Sequence, residues 1–201
     1  MKQNKIYNII KKYKKKGELI VISAPSGTGK TTLCRHLLDR IENSVFSVSV
    51  TSRPPRGEET DGVDYDFVSD REFKKLIEED KLLEWAKVHG YYYGTARKFV
   101  RDQKAADKNI ILDIDVQGGV QIKKKYPRAV LIFVIPPSVE ELENRLRKRS
   151  QNSEDEIQHR LNNAEEELNY VGEYDYLVVN NKLEEAVKEL VCIIETQKAK
   201  I

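Results

Sequence analysis

Leu19-Ile20-Val21-Ile22 is an uninterrupted apolar run that passes through Ser23, without a linker, into Ala24-Pro25-Ser26-Gly27-Thr28-Gly29-Lys30-Thr31-Thr32. A short branched-aliphatic run closed by a glycine-rich turn reads as a strand buried on both faces, and the pattern over 32–40 reads as a helix. Strand, glycine loop and helix in this order aim successive backbone N–H groups and a helix N-terminus at one place, an anion site made of fixed dipoles. Gly27 and Gly29 let the backbone approach a polyanion closely, and Lys30 stands where an ammonium reaches the β- and γ-phosphates of ATP. The Thr31 hydroxyl is placed to ligate the Mg²⁺ that bridges those phosphates; Ala24, Pro25, Ser26 and Thr28 complete the loop, with Thr32 a more distant phosphate contact. The spacing departs from G-x-x-x-x-G-K-[ST] only at its first position, where Ala24 replaces glycine, so residue 24 is expected to avoid positive φ. A glycine-rich turn that merely caps a helix would not call for Lys and Thr at these offsets.

Beyond the loop, apolar stretches alternate with charged, helix-period stretches, the pattern of an α/β fold with a mainly parallel sheet flanked by helices. Residues 109–113, 129–135 and 176–179 read as further strands. Three helix starts carry capping boxes, Ser69 with Glu72, Ser138 with Glu141 and Ser153 with Glu156. Pro136 and Pro137 end the strand before Ser138, and a helix to about Arg149 follows. The stretch from about 49 to 97 interrupts the alternation with short strand-like pieces at 65–68 and 83–88, one helix, and many Tyr and Arg residues, and reads as a small inserted lobe.

Composition narrows the class. The chain has 201 residues, enough for one compact domain, and 34% charged residues with 39% hydrophobic ones suit a soluble protein. The net charge of +2 hides an asymmetry: residues 1–16 hold seven lysines and no acid, which leaves −5 for the rest. That basic extension could lie on an anionic surface through Ile6, Ile10 and Tyr13, or be a solvated tail. No apolar run approaches the ~20 residues of a membrane span, and no secretory leader is evident, so a cytoplasmic protein without membrane contact is expected. Cys34 and Cys192 have no ligand partners nearby and read as reduced, buried thiols. His36, His89 and His159 show no metal spacing, and the lysine tail alone does not support nucleic-acid binding.

At residues 49–67, SVTSRPPRGEETDGVDYDF, the chain resembles the guanylate kinases, and the resemblance continues through Leu83-Glu84-Trp85-Ala86, Tyr92-Tyr93-Gly94-Thr95, the stretch ILDIDVQG at 111–118 and Pro136-Pro137-Ser138. It spans nearly everything from Gly17 to the C-terminal helix. It implies a single domain over 17–201 with a P-loop NTPase core, a GMP-binding lobe at about 49–97 and a helical lid at about 138–165. The implied reaction moves the terminal phosphoryl group of ATP to GMP, and to dGMP, with Mg²⁺ as cofactor.

Residue by residue, Arg53 and Arg56 offer forked charged donors to a monophosphate, with the hydroxyls of Tyr65 and Tyr93 beside them. Glu84 matches the family position that reads guanine: a carboxylate accepts from N1–H and the 2-amino group together, a donor pair that adenine lacks. Ser49, Thr95 and Asp113 match other base-contacting positions. Asp113 and Asp115 are expected on one face at the end of a buried strand, Asp113 toward GMP and Asp115 toward the metal, with helix capping the alternative for Asp115. Arg145, Arg149 and Arg160 match lid positions that bring charge onto the transferring phosphoryl group, making them catalytic with Lys30. An acceptor that is already an anion needs no general base, so alignment and electrostatics should carry the reaction. Two other readings remain, a kinase for a different nucleoside monophosphate and a catalytically silent domain that binds proteins; no obligate protein partner is evident.

Overall fold

The structure, a computed structural model, describes residues 17–148 and 154–199. The basic segment 1–16, Arg149 and the Ser153 cap lie outside the described residues. The chain runs β1 (Leu19–Ser23), α1 (Lys30–Leu38), β2 (Ser44–Phe46), β3 (Ser49–Thr51), β4 (Tyr65–Phe67), α2 (Asp70–Glu78), β5 (Leu82–Val88), β6 (Tyr91–Ala96), α3 (Arg97–Ala105), β7 (Asn109–Asp113), α4 (Val116–Lys125), β8 (Val130–Ile135), α5 (Val139–Lys148), α6 (Glu154–Leu168), a 3-10 turn (Val171–Glu173), β9 (Tyr176–Val179) and α7 (Leu183–Ala199).

Five strands form one parallel sheet in the order β2-β7-β1-β8-β9. Its central strand is the apolar run that opens the loop motif. With side chains alternating along a strand, Ile20 and Ile22 fall to one face beside Leu33 and Leu37 of α1 and Leu190 of α7. Leu19 and Val21 fall to the other, beside Val100 of α3 and Ile122 of α4. Both faces are covered, which is why β1 is apolar from Leu19 to Ile22, and each such side chain contributes about 1.5–3 kcal/mol by leaving water. Helix α1 starts at Lys30, two residues before the expected start, because Gly29 takes the N-cap position with φ 96°.

The inserted lobe is a second sheet, β4-β3-β6-β5, with β3 parallel to β4 and antiparallel to β6. Its hairpin β5–β6 turns through His89 and Gly90, both at positive φ. Helix α2 carries the full Ser69–Glu72 capping box. At α5 only half of the expected box forms: Ser138 Oγ accepts the Glu141 N–H at 3.2 Å, while the Glu141 carboxylate takes the Arg145 guanidinium at 2.8 Å. No described helix is long and apolar enough to cross a membrane. The expectation of two buried thiols holds for Cys34 alone; Cys192 is exposed on α7, since its helical position turns away from the Val187, Leu190 and Ile194 stripe that packs on the sheet.

Candidate active site

The loop between β1 and α1 opens into a cleft of about 350 Å³, in the size range of a small-molecule site. Gly27 and Gly29 hold left-handed φ of 94° and 96°, and Ala24 is absent from the positive-φ residues, as its Cβ requires. The N-terminus of α1 has no side-chain cap and no acid in its first turn. Its first N–H groups and dipole are therefore open to an anion. Ala24, Pro25, Ser26, Gly27 and Gly29 line the cleft with Lys30 and Thr31; Thr28 and Thr32 do not. Thr28 instead turns its carbonyl outward, to Asn180 Nδ2 at 2.7 Å.

Lys30 Nζ lies 2.7 Å from Asp113 Oδ1 and donates to the Ile114 carbonyl at 2.9 Å. Burial works against its charge, but the attraction and hydrogen bond of Asp113 outweigh that and hold the ammonium above its ordinary value. Thr31 Oγ1 donates to the other Asp113 oxygen at 3.2 Å. Asp113 thus closes β7 against the phosphate side of the cleft.

This geometry corrects the expected pairing of the two aspartates. The strand ends at Asp113, and Asp115 is the N-cap of α4, its Oδ1 accepting the Gly118 N–H at 2.9 Å. A capping side chain folds back over its own helix, and Asp115 stands near Glu84. A Cβ built on Gly118 would fall 2.4 Å from Glu84 Oε2 and 3.1 Å from Asp115 Oδ1. Asp115 is therefore not on the strand, the helix-capping alternative being the one observed, and it lines the cleft together with Asp113.

Glu84 reaches the cleft through a register shift. Leu82 pairs with Ala96 and Glu84 with Thr95, so one extra residue separates them on β5. Such a bulge sends Leu82 and Glu84 to opposite faces. Leu82 packs into the lobe's own core with Val50 and Phe73, while Glu84, 2% exposed, faces the cleft and accepts the Thr95 hydroxyl at 2.6 Å. Burial is the main reason its carboxyl is pushed up to about 7. Ser49 lines the same cleft; Thr95 sits behind Glu84.

Arg53 is buried, and its guanidinium is held on three sides. Its Nε donates to Tyr93 Oη at 3.1 Å, Nη1 to the Pro54 carbonyl at 2.8 Å, and Nη1 and Nη2 to the two Glu59 oxygens at 2.9 Å each. The Tyr65 ring lies 5.2 Å from the guanidinium carbon. Those hydrogen bonds hold the Glu59 carboxyl below its usual value. Tyr65 and Tyr93 line the cleft, whereas Arg56 is exposed at its margin.

The two helices expected to form a lid rest on the phosphate loop. Leu142 and Leu146 of α5 stand over Gly27. Arg145 is turned under the loop, donating to the Asn180 carbonyl at 3.0 Å and the Thr28 carbonyl at 3.4 Å, and does not line the cleft. Arg160 of α6 does, and its Nη2 donates to Ser26 Oγ at 2.6 Å. Lobe and α6 also touch: Asn163 Nδ2 lies 3.2 Å from His89 Nδ1 and 3.4 Å from His159 Nε2.

Sequence reasoning missed Glu59, Glu167 and Asn180. The spacing of Glu59 from the two arginines in one turn-rich segment was an available signal; for Glu167 it was the heptad step from Arg160. Nothing local marks Asn180, which follows β9 and meets the loop only through the sheet.

A parallel sheet with an anion-binding loop at its central strand, facing an inserted lobe across one cleft, defines the class of P-loop phosphotransferases with a separate acceptor site. A model of the guanylate kinase family matches residues 16–197. The guanylate kinase of Caldanaerobacter subterraneus subsp. tengcongensis is 47% identical over 188 residues, 94% of this chain and 91% of that protein. That of Thermotoga maritima is 48% identical over 186 residues, 92% of this chain and 90% of the relative. The crystal structure of guanylate kinase from Anaplasma phagocytophilum matches with a TM-score of 0.79 at 35% identity, covering 93% of this chain and 89% of that one. The chain belongs to the guanylate kinase family, whose defining reaction is ATP-dependent phosphorylation of GMP to GDP.

Proposed function

We propose that the loop at 24–32 holds ATP, that the lobe at 49–97 holds GMP or dGMP, and that the γ-phosphoryl group passes directly between them. The observation that carries this reading is the sharing of one cleft by an uncapped helix N-terminus and a buried carboxylate, Glu84, to which we assign the guanine. Two parallel acceptor oxygens suit guanine N1–H and the 2-amino group, and Ser49 and Asp115 complete the base site. Arg53, Arg56, Tyr65 and Tyr93 take the acceptor phosphate.

In the transfer an oxygen of the GMP phosphate forms a bond to the γ-phosphorus as the bond from that phosphorus to the β–γ bridging oxygen breaks, and ADP carries the electron pair away. Lys30 and the N–H groups of α1 hold the β- and γ-oxygens where charge spreads. Arg160, with Arg145 and Arg149, supplies further positive charge as the lid at 138–165 closes and excludes water. Thr31 and Asp113 offer the hard oxygens that suit Mg²⁺, which characteristically takes one or two protein oxygens beside substrate phosphates. When bound, the metal neutralises phosphate charge. The free thiols Cys34 and Cys192 suit the reducing cytoplasm, the compartment we assign.

The test is ADP release with ATP and Mg²⁺ and each of GMP, dGMP, AMP, UMP, CMP and dTMP. Turnover confined to GMP and dGMP is the expected result. Turnover with another base would overturn the role of Glu84, and none with any acceptor would favour a silent binding domain.

A further inference from the structure

Asn180 follows β9 at the edge of the core sheet, is 7% exposed and does not line the cleft. Its backbone N–H donates to the Ile135 carbonyl at 2.8 Å, which carries the β8–β9 ladder one residue further. Its side-chain Nδ2 donates to the Thr28 carbonyl at 2.7 Å. A Cβ built on Gly29 would fall 3.0 Å from the same nitrogen, so the amide sits directly against the Thr28–Gly29 peptide. Arg145 of α5 adds a longer contact to that carbonyl, at 3.4 Å, and donates to the Asn180 carbonyl at 3.0 Å.

A trans peptide is planar, with its C=O and N–H on opposite sides. Holding the Thr28 carbonyl on the Asn180 side therefore turns the Gly29 N–H the other way, toward the cleft that Gly29 lines. The loop's own sequence does little to enforce this. Thr28 stands between two glycines at left-handed φ, and Gly29 has no Cβ to hinder rotation of the peptide before it. The opposite orientation would set the Gly29 N–H against the Asn180 Nδ2 donor and aim a carbonyl dipole at the phosphates. Arg145 cannot hold the carbonyl through the reaction, because it belongs to the lid, whereas Asn180 is fixed to the core sheet by its own backbone.

We propose that Asn180 is a positioning residue for the phosphate loop: by holding the Thr28 carbonyl it keeps the Gly29 N–H in the cleft as a donor to the phosphates of ATP while the lid moves. The proposal rests on the assignment of ATP to the loop at 24–32. It differs from a structural anchor in one respect, that its effect must pass through the Gly29 N–H to the phosphates. A chain of phosphates without a base must therefore feel it as strongly as ATP does.

The experiment uses the full chain and magnesium tripolyphosphate, which has neither base nor ribose, as the probe. Its affinity is measured by calorimetry for the parent, Asn180→Ala, Asn180→Asp and Lys30→Ala, beside both KM values. Asn180→Ala should weaken the probe by about 10–100-fold, the range of one charged hydrogen bond, and raise KM for ATP by a similar factor with little change in KM for GMP. Asn180→Asp keeps the shape but can only accept, so it draws the Gly29 N–H toward itself and should weaken the probe at least as much. In nitrogen–proton spectra the Gly29 amide resonance of the parent should move when the probe is added, and in both variants that movement should be lost. Parent-like affinity for the probe in either variant, equal rises in the two KM values, or a parent Gly29 resonance that ignores the bound probe would each overturn the proposal. Parent-like affinity in Lys30→Ala would instead sink the assignment of the phosphates to the loop, which separates the two failures. Should a variant fail to fold, the Gly29 resonance of the parent decides.

Discussion

The Glu84 carboxylate accepts the Thr95 hydroxyl at 2.6 Å across the β5–β6 ladder, with both residues buried and, among the described residues, no cation within bonding distance of the carboxylate. Its carboxyl, pushed up mainly by burial to about 7 from an ordinary 4.5, binds a proton more tightly in the folded than in the unfolded chain. Folding stability from this group is therefore greatest below the unfolded value and is lost as pH rises through 4.5 to 7, a loss on the order of 3 kcal/mol. Glu84→Gln stays neutral, so the ligand-free variant should be more stable than the parent at pH 8 and close to it at pH 4. Urea unfolding at the two pH values checks this. The same ionisation acts on substrate, because guanine needs the carboxylate: KM for GMP in the parent should rise as pH falls below about 7, and in the variant it should be high and flat.

Gly118 leaves room for that carboxylate. A methyl group there would sit 2.4 Å from Glu84 Oε2, so Gly118→Ala must move Glu84 or the first turn of α4. The expected result is a rise of about 10–100-fold in KM for GMP with KM for ATP nearly unchanged, measured by steady-state kinetics. The usual helix gain of about 1 kcal/mol for Gly to Ala should not appear in its unfolding curve.

Lys30 and Asp113 form the ion pair that holds the phosphate side ready. Lys30→Ala should lower kcat by about 10²–10³-fold or more, the loss expected of a charge donor to the transition state, with far-ultraviolet circular dichroism unchanged. Normal turnover in this variant would remove the loop from the mechanism.

Arg53 is held by Glu59 through both terminal nitrogens. Lysine cannot reproduce that fork. Arg53→Lys should raise KM for GMP by about 10–100-fold, the range of one to two charged hydrogen bonds, and leave KM for ATP close to the parent. Equal rises for the two nucleotides would contradict the assignment of Arg53 to the acceptor side.

Local order explains how much of this was legible beforehand. The run Leu19–Ile22 is apolar at every position, and only a strand covered on both faces needs that, so β1 and the loop after it could be placed from sequence. Strands β7 and β9 were legible at their observed bounds from their aliphatic runs, although β9 lies at the sheet edge with Leu177 and Val179 exposed. Strand β2, three half-buried residues on the sheet edge, carries no such pattern and was missed. Asp113 and Asp115, two apart, looked like neighbours on one strand face, but alternation ends where the strand ends, and Asp115 belongs to the helix.

By itself the sequence determined the parallel α/β core and the phosphate loop that follows its central strand. Those properties follow from contacts between residues close in the chain and from periodicity along single elements. Tertiary structure alone decided that a bulge between Leu82 and Glu84 turns the carboxylate into the cleft, and that Arg160 of α6 reaches Ser26 of the phosphate loop. Each of these depends on register or on helix docking between segments far apart in sequence. A shift of one residue reverses the face a side chain takes, and no local pattern encodes that shift.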